Sequence, residues 1–413
     1  MGIRFKGAIL VLAGLISYAI HASERDEAAW IGTWETSPAG LATAARIGGL
    51  TFPLTTHIQG TVRYRLRISQ GGSQLRLKFT NEYGKASVPL AAASVGLAAD
   101  GLNAIPGSIR PVTFGGKENF AIPAGAPALS DTINLPVAPL TDLVVSVYLP
   151  QGMLVPECEP GQASPTQAWV EATDSTAKES LTGSKCLSMR PLVSEIDVLG
   201  SRPQKLVVAL GDSITDGAID PDTGERGWPG ALARRLRSTR ISVVNAGIGG
   251  NRLLQSAPLR FGESALSRLD RDVFAVPGVT TVVLLEAIND IGWSGPTGLF
   301  GDTPLVETHD LISAYLQVIS RAHMRGIQVI GATILPFEGS AYYSAEKERI
   351  RTTLNEWIRT SRSFDGVIDF DAVMRLPSNP ERLKPEFDFG DHLHPNFSGY
   401  RAMAEAIDLK LII

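Results

Sequence analysis

The first half of the chain has the hydrophobic pattern of β-strands. Between residues 62 and 68, apolar side chains alternate with three arginines, which are Arg63, Arg65 and Arg67. A second alternating run, residues 75–79, follows a polar turn, so the pattern predicts a hairpin with one buried and one solvated face. Proline and glycine recur between such runs, without a long helical period. We therefore expect a β-sandwich or jelly-roll domain over residues 23–200.

The second half has a different hydrophobic pattern, in which short apolar runs alternate with amphipathic helical segments. The predicted strands are residues 206–210, 241–245, 281–285, 327–333 and 367–370, and the predicted helices are residues 228–237, 310–324, 345–360 and a last one after Pro395. This alternation is typical of a parallel sheet covered by helices on both faces. We expect an α/β domain over residues 201–413, with ligands bound beyond the carboxyl ends of its strands.

Length and composition agree with two globular domains. The chain has 413 residues, of which 44% are hydrophobic and 19% are charged. Each half is long enough to bury its own core. The formal net charge is -4, so nucleic acid is not expected as a partner, because phosphate binding needs clustered Lys and Arg.

The N-terminus has the order of features found in a secretory signal peptide. Arg4 and Lys6 precede an apolar run over residues 8–20, and the small residue Ala22 follows. We expect residues 1–22 to be removed, which predicts a secreted or periplasmic protein. The alternative is a retained anchor, although this run is short for a transmembrane helix. No stable membrane span is expected after signal removal, and the oligomeric state is not predicted.

Two cysteines remain in the predicted mature chain, Cys158 and Cys186. In an oxidising compartment they are candidates for a disulfide. The alternative is a pair of unrelated buried thiols.

Candidate chemistry lies where the predicted strands of the second half end. The first strand runs into Gly211-Asp212-Ser213, and a serine on such a strand-to-helix turn holds its hydroxyl above the sheet. By itself this is a common turn. The second strand ends in a glycine-rich turn, residues 247–251, whose N–H groups suit an oxyanion or a phosphate, although it also fits an ordinary tight loop. The third strand leads into Asn289-Asp290, where the asparagine is an amide donor or a helix cap.

A carboxylate and an imidazole stand three residues apart near the C-terminus, at Asp391 and His394. In a loop that opens a helix, the carboxylate can turn onto the ring Nδ1 and leave Nε2 free to face a serine. The alternative is half of a metal site that includes His392, but no second cluster of ligands is evident elsewhere in the sequence.

Jointly these four segments resemble the motif blocks of the GDSL/SGNH hydrolase family, in the same chain order. The resemblance covers residues 205–413 and implies a three-layer α/β/α flavodoxin-like fold without metal or cofactor. It implies Ser213 as nucleophile, His394 as base and Asp391 as the residue that orients it. It also implies an oxyanion hole built from the N–H groups of Ser213 and Gly250 and the side chain of Asn289. The supporting and pocket residues expected around this site are Asp212, Asp290, Trp228 and Trp293, where the two tryptophans either wall the substrate cleft or belong to the core under the loops.

The sequence departs from the family pattern at Ala287, where the third block normally starts with glycine. We interpret this difference as a local packing change. Similar exported hydrolases carry an N-terminal β-domain, so the first half also fits the resemblance. The expected function is hydrolysis of small acyl esters, for example acetyl groups on a polysaccharide. The alternatives are a lipolytic or aryl esterase, and a glycan-binding protein or acyltransferase on the same fold.

Overall fold

The computed structural model describes residues 28–40, 46–47, 50–51, 55–156, 166–181, 185–187, 192–201, 204–257, 261–296 and 303–413. The predicted signal peptide and Cys158 lie outside these residues, and only the backbone of Cys186 is described, on a short strand. Within the described ranges, no helix combines the length and the apolar composition that crossing a bilayer requires.

The first half is built from antiparallel strands. They are β1 (Ala28–Glu35), β2 (Arg46–Ile47), β3 (Leu50–Thr51), β4 (Thr55–Arg67), β5 (Leu75–Thr80), β6 (Val88–Leu90), β7 (Ala92–Leu97), β8 (Arg110–Pro111), β9 (Phe120–Ile122), β10 (Pro127–Leu129), β11 (Asp142–Pro156), β12 (Thr166–Glu171), β13 (Lys185–Leu187) and β14 (Val193–Ser201). One sheet has the order β1-β14-β5-β10, and the other has the order β13-β12-β4-β11-β7-β8. Buried apolar side chains from both sheets join one core, as the β-sandwich expectation requires.

The predicted hairpin is wrong, because its two strands belong to different sheets. β4 pairs with β11 and β12, whereas β5 pairs with β14 and β10. The turn between β4 and β5 therefore carries the chain across the sandwich, and the apolar faces of both strands point into the shared core. A period of two identifies the buried face of a strand but not its partner.

The arginine face of β4 is only partly the solvated surface that the alternating pattern predicted, because Arg65 is exposed but Arg63 is not. Arg63 is fully buried, and its guanidinium donates hydrogen bonds to the backbone carbonyls of residues 178–179, which cover this face. Arg65 and Arg67 both form ion pairs with Asp142. The buried guanidinium of Arg63 is tolerated because its Nε, Nη1 and Nη2 all have hydrogen-bond partners.

The second half contains a five-stranded parallel sheet between two layers of helices. Its strands are β15 (Lys205–Gly211), β16 (Ile241–Gly247), β17 (Val279–Leu285), β18 (Gln328–Ala332) and β19 (Gly366–Ile368), and a hairpin of β20 (Arg375–Leu376) and β21 (Asn379–Leu383) follows. The helices are α1 (Ser213–Asp216), α2 (Gly227–Arg235), α3 (Ala265–Leu269), α4 (Ile288–Trp293), α5 (Thr308–His323), α6 (Ala345–Thr360), α7 (Phe370–Met374) and α8 (Phe397–Ala406). A π-helical turn, Asp270–Phe274, continues α3, and two 3-10 turns are Pro385–Phe387 and Leu409–Leu411.

The strand order is β16-β15-β17-β18-β19, which is the flavodoxin-like order 2-1-3-4-5. Helices α2, α7 and α8 contact one another, and α3, α5 and α6 form a second group, so the three-layer α/β/α expectation is confirmed. In register, Gly211 pairs with Gly247 and with Leu285. The first three strands therefore end at the same edge, and the segments that follow them converge there.

The two halves are in direct contact along β16, the outer strand of the parallel sheet. The Ser69 hydroxyl accepts a hydrogen bond from Val243 N–H at 3.2 Å and lies 2.8 Å from the Ser242 hydroxyl. The Gln70 side chain donates to the carbonyl oxygen of Ile241 at 2.9 Å. The turn that follows β4 thus supplies partners to an exposed strand edge, which would otherwise attract a foreign strand.

Candidate active site

Ser213 is the first residue of α1 and stands two positions after the end of β15, an interior strand of the sheet. The preceding residue caps this helix, because the Asp212 carboxylate accepts a hydrogen bond from Ile214 N–H at 2.8 Å. Gly211 makes the sharp turn possible, since a Cβ there would lie 2.4 Å from the carbonyl oxygen of Leu285 on the neighbouring strand. The local sequence thus places the Ser213 hydroxyl at the carboxyl edge of the sheet.

The loop before α8 brings an imidazole to this hydroxyl. His394 Nε2 lies 2.8 Å from Ser213 Oγ, across 181 positions of sequence. His394 Nδ1 lies 2.5 Å from Asp391 Oδ2, while Asp391 Oδ1 accepts hydrogen bonds from the N–H groups of Leu393 and His394. Burial alone would raise the pKa of Asp391, but these hydrogen bonds lower it to about 2. A hydroxyl, an imidazole and an ionised carboxylate are therefore aligned.

The neighbouring histidine belongs to a different pair. His392 Nδ1 lies 2.6 Å from Asp388 Oδ2, so each of the two imidazoles has its own carboxylate. His392 also has a left-handed backbone, with φ of 61°. Over the described part of the chain, no group of three or more His, Cys, Asp or Glu side chains is arranged to hold a metal ion.

Two further segments approach Ser213 from β16 and β17. Gly250 has a left-handed φ of 73°, and a Cβ there would lie 2.2 Å from the ring of Phe261, so the turn needs glycine. The Asn289 side chain donates to the backbone oxygen of Asn251 at 2.9 Å. Its Oδ1 accepts a hydrogen bond from the Tyr342 hydroxyl at 3.0 Å. Because its oxygen is held by Tyr342, the amide presents N–H groups toward the turn.

Asp290 holds the same turn from the other side. Its carboxylate accepts hydrogen bonds from the N–H groups of Leu253 and Leu254, at 2.7 and 3.0 Å. Burial raises the pKa of Asp290 to about 6, and these two hydrogen bonds act in the opposite direction. The carboxylate is thus a structural anchor for the residues that follow Gly250.

A family model of the GDSL-like lipase/acylhydrolase family matches residues 209–402. This part of the chain belongs to that family. All four segments that converge at the edge of the sheet lie inside the matched range of the GDSL-like domain. Membership implies ester hydrolase activity, and hence an ester of a small molecule or carbohydrate as substrate.

Solved structures that resemble the chain cover about half of it. An acetyl xylan esterase is 21% identical, with 50% of this chain and 100% of that chain covered and a TM-score of 0.39. A GDSL-like lipase from Bacteroides thetaiotaomicron is 19% identical, with 50% and 87% covered and a TM-score of 0.37. An acetyl xylan esterase from Geobacillus stearothermophilus is 20% identical, with 51% and 94% covered and a TM-score of 0.36. None of the curated proteins matches the chain.

In the GDSL-like domain, the alanine at position 287 is more than the local packing change that the sequence suggested, because its backbone conformation is unusual. Ala287 caps α4 with φ of 95° and ψ of -9°, and its side chain is fully buried. This left-handed conformation suits glycine and strains any residue with a Cβ. Ala287 therefore has a backbone conformation that glycine would adopt without strain, two residues before Asn289.

The two tryptophans expected near the cleft of the GDSL-like domain have different places. Trp228 is fully buried and packs against Phe370, so it belongs to the core and does not line the cleft. Its position follows from the apolar face of α2. Trp293 packs edge-on against Phe261, with ring centroids 4.8 Å apart, and these rings close around Gly250.

Tyr342 is the neighbour of the site that the sequence did not indicate. It lies in the segment between β18 and α6, outside all four motif segments. Its hydroxyl accepts a hydrogen bond from Trp293 Nε1 at 2.6 Å and donates one to Asn289. No spacing or composition marks this residue, because its role depends only on the path of the loop.

Proposed function

We propose that the protein is an exported serine esterase in which Ser213, His394 and Asp391 form the catalytic triad. The observation that carries the proposal is the continuous hydrogen-bonded alignment from Ser213 Oγ through the His394 ring to Asp391, with distances of 2.8 and 2.5 Å. These distances match those of an activated serine nucleophile with an oriented base. Membership of an acylhydrolase family agrees with this chemistry.

The reaction follows from this alignment. His394 Nε2 takes the proton of the Ser213 hydroxyl as the oxygen attacks the ester carbonyl, and the Asp391 carboxylate stabilises the imidazolium. The N–H groups of Ser213 and Gly250 and the side-chain amide of Asn289 bind the developing oxyanion. His394 then gives its proton to the departing alcohol, which leaves an acyl group on Ser213. Water, deprotonated by His394, attacks the acyl-enzyme and releases the acid.

A short acyl group fits the site best. The rings of Phe261 and Trp293 are buried and lie against Gly250, which leaves little depth beside the proposed oxyanion donors. The other side of the triad is open, because the side chains of His394 and Asp391 are 31% and 45% exposed. This open side has room for an alcohol that is part of a polymer. We propose acetyl esters, including those on a polysaccharide, as the substrate class.

Export is proposed from the N-terminal sequence, where residues 1–22 have the features of a signal peptide. The same compartment would allow a disulfide between Cys158 and Cys186. Intact-mass spectrometry of protein recovered from a periplasmic or culture fraction tests both. A mature N-terminus near Ser23 and no thiol reacting with iodoacetamide are expected, and an uncleaved chain with two reactive thiols would contradict the proposal.

Hydrolysis of p-nitrophenyl acetate is the direct test of the activity. We expect the purified protein to release p-nitrophenol faster from the acetate than from the octanoate ester, and to release acetate from acetylated xylan. Activity should survive EDTA and disappear in Ser213→Ala. A preference for octanoate would favour a lipolytic esterase, and equal rates for Ser213→Ala and wild type would contradict the proposed triad.

A further inference from the structure

One buried guanidinium joins the strand ends below the proposed active site. Arg268, on α3, has no exposed surface. Its Nη2 donates to the carbonyl oxygen of Gly211 at 3.1 Å, and its Nη1 donates to the carbonyl oxygen of Ala246 at 2.7 Å. These residues end β15 and nearly end β16, so Arg268 fixes the spacing of the two strands from which Ser213 and the glycine-rich turn emerge.

The same guanidinium reaches the proposed oxyanion hole through Asn251. Arg268 Nε donates to Asn251 Oδ1 at 3.0 Å. Asn251 directly follows Gly250, and its backbone oxygen accepts the hydrogen bond from Asn289. Asn251 itself is fully buried. A displacement of Arg268 would therefore move Asn251 and, with it, both of the proposed oxyanion donors that lie outside α1.

The first half of the chain completes this arrangement. Arg268 Nη1 also donates to the hydroxyl of Ser37 at 3.0 Å. Ser37 is fully buried and lies just beyond β1, in the antiparallel half. The charge of Arg268 is balanced by Asp272 Oδ2, at 3.1 Å. A buried charge is tolerated only with such a counterion and with its remaining donors satisfied.

Only arginine has the geometry for this position. Its planar guanidinium carries five N–H donors in a rigid fork, and here Nε, Nη1 and Nη2 bind acceptors from different segments. Lysine has three donors on one flexible nitrogen and could not hold the same set.

We propose that Arg268 is a positioning residue for the oxyanion turn, and that Ser37 of the β-sandwich holds it in place. This inference rests on the proposed function. It makes the sandwich part of the catalytic unit rather than a separable accessory module. Because the contacts act on the oxyanion donors and not on the substrate, their loss should lower kcat and leave KM nearly unchanged.

Matched serine substitutions test the role of the sandwich. Ser37→Ala removes the hydroxyl that contacts Arg268. Ser69→Ala removes a buried hydroxyl of the same half that contacts β16 and Thr33 of β1 but not Arg268. We expect Ser37→Ala to lower kcat for p-nitrophenyl acetate by about 3- to 10-fold, which is the factor in rate that corresponds to the free energy of one hydrogen bond. KM should stay within about twofold of the wild-type value. Ser69→Ala should lower the melting temperature but leave kcat within about twofold.

Arg268→Lys should have a larger effect, with kcat reduced by about 10- to 100-fold, because several contacts are lost together. If Arg268→Lys does not fold, the comparison of Ser37→Ala with Ser69→Ala still tests the positioning role of Arg268. Given a hydrolytic wild type, a kcat of Ser37→Ala equal to that of Ser69→Ala would overturn the positioning role.

A measurement that does not need activity separates this inference from the proposed function. Hydrogen exchange of residues 247–254, followed by mass spectrometry, should be about 3- to 10-fold faster in Ser37→Ala than in wild type and unchanged in Ser69→Ala. If wild type does not hydrolyse esters, the proposed function fails, and this exchange decides the positioning role. Unchanged exchange in Ser37→Ala would then overturn it.

Discussion

The hydroxyl of Tyr342 donates a hydrogen bond of 3.0 Å to Oδ1 of Asn289, 53 positions earlier in the chain. The amide of an asparagine can rotate by half a turn, which exchanges its donor and its acceptor. With the oxygen held by Tyr342, the nitrogen faces Asn251 and the glycine-rich turn. The hydroxyl of Tyr342 therefore selects the orientation in which Asn289 can serve as an oxyanion donor.

Tyr342→Phe should lower kcat by roughly tenfold with little change in KM, because Asn289 loses its orienting partner. Complete removal of the donor in Asn289→Ala should cost more, roughly 100- to 1000-fold. Tyr343→Phe is the control, since the hydroxyl of Tyr343 binds Glu381 instead. Steady-state kinetics on p-nitrophenyl acetate measure all three variants, and a Tyr342→Phe enzyme as active as Tyr343→Phe would show that the orientation does not matter.

The two histidines of the C-terminal loop offer a matched comparison. His394→Ala should reduce kcat by about a thousandfold or more, because it removes the proposed general base. His392→Ala removes an imidazole of the same loop that is bound to Asp388, and it should keep at least about a tenth of the activity. Circular dichroism should confirm that both variants are folded. Equal losses in the two variants would contradict the assignment of His394 as the base.

Ala287→Gly should stabilise the protein. A left-handed conformation costs a residue with a Cβ about 1–2 kcal/mol, and the greater chain entropy of glycine offsets about 0.5–1 kcal/mol of that gain. We expect the free energy of unfolding in urea to rise by up to about 1 kcal/mol. The control is Ala332→Gly, at a buried alanine of β18 that is not left-handed, where a loss of about 1 kcal/mol is expected. A destabilised Ala287→Gly would mean that packing of its methyl group outweighs the strain.

The buried Asp212 should make stability depend on pH. Burial raises the pKa of Asp212 to about 7, although Ile214 N–H and the charge of His394 act in the opposite direction. Since the pKa is lower in the unfolded chain, the folded state binds more protons between about pH 4 and 7. The stabilising contribution of Asp212 is therefore complete below about pH 4 and is lost as the pH rises through 7.

Asp212→Asn tests this dependence, because asparagine can still cap α1 but does not ionise. The melting temperature of wild type should fall more between pH 5 and pH 8 than that of Asp212→Asn. Asp222→Asn, at an exposed aspartate, should follow wild type. Asp212→Asn also removes the charge that helps to raise the pKa of the buried Glu286, and this loss weakens the pH dependence of the variant in the same direction. Identical pH profiles for wild type and Asp212→Asn would show that Asp212 is ionised throughout.

Much of the second half could be predicted from local pattern. The helix predicted at residues 345–360 has those bounds in the structure, and the strands of the parallel sheet were placed within a few residues. The strand predicted to reach residue 370 ends at Ile368, because the Asp369 side chain caps α7. Buried parallel strands are continuous apolar runs that neighbouring polar turns delimit, so their sequence signal is strong.

The first half shows where local pattern fails. Alternation at residues 62–68 identified β4 and its buried face, yet it assigned the wrong partner strand and a solvated position to Arg63. Strand pairing in a sandwich depends on contacts between residues far apart in sequence, and the segment that covers Arg63 comes from residues 178–179. Neither the partner strand of β4 nor the segment that covers Arg63 can be identified from the residues adjacent to them in sequence.

The sequence by itself determined the chemical groups of the proposed site, because Ser213, Asn289, Asp391 and His394 occupy short motifs at the ends of recognisable elements. Tertiary structure decided how those groups are held. Tyr342 orients Asn289, Trp228 belongs to the core, Ala287 is left-handed, and Ser37 reaches Arg268 from the other half of the chain. The motifs contain the residues whose side chains the proposed chemistry needs. The supporting contacts form wherever folding brings a donor next to an acceptor. Any segment of suitable shape can provide them, so they have no fixed place in the sequence.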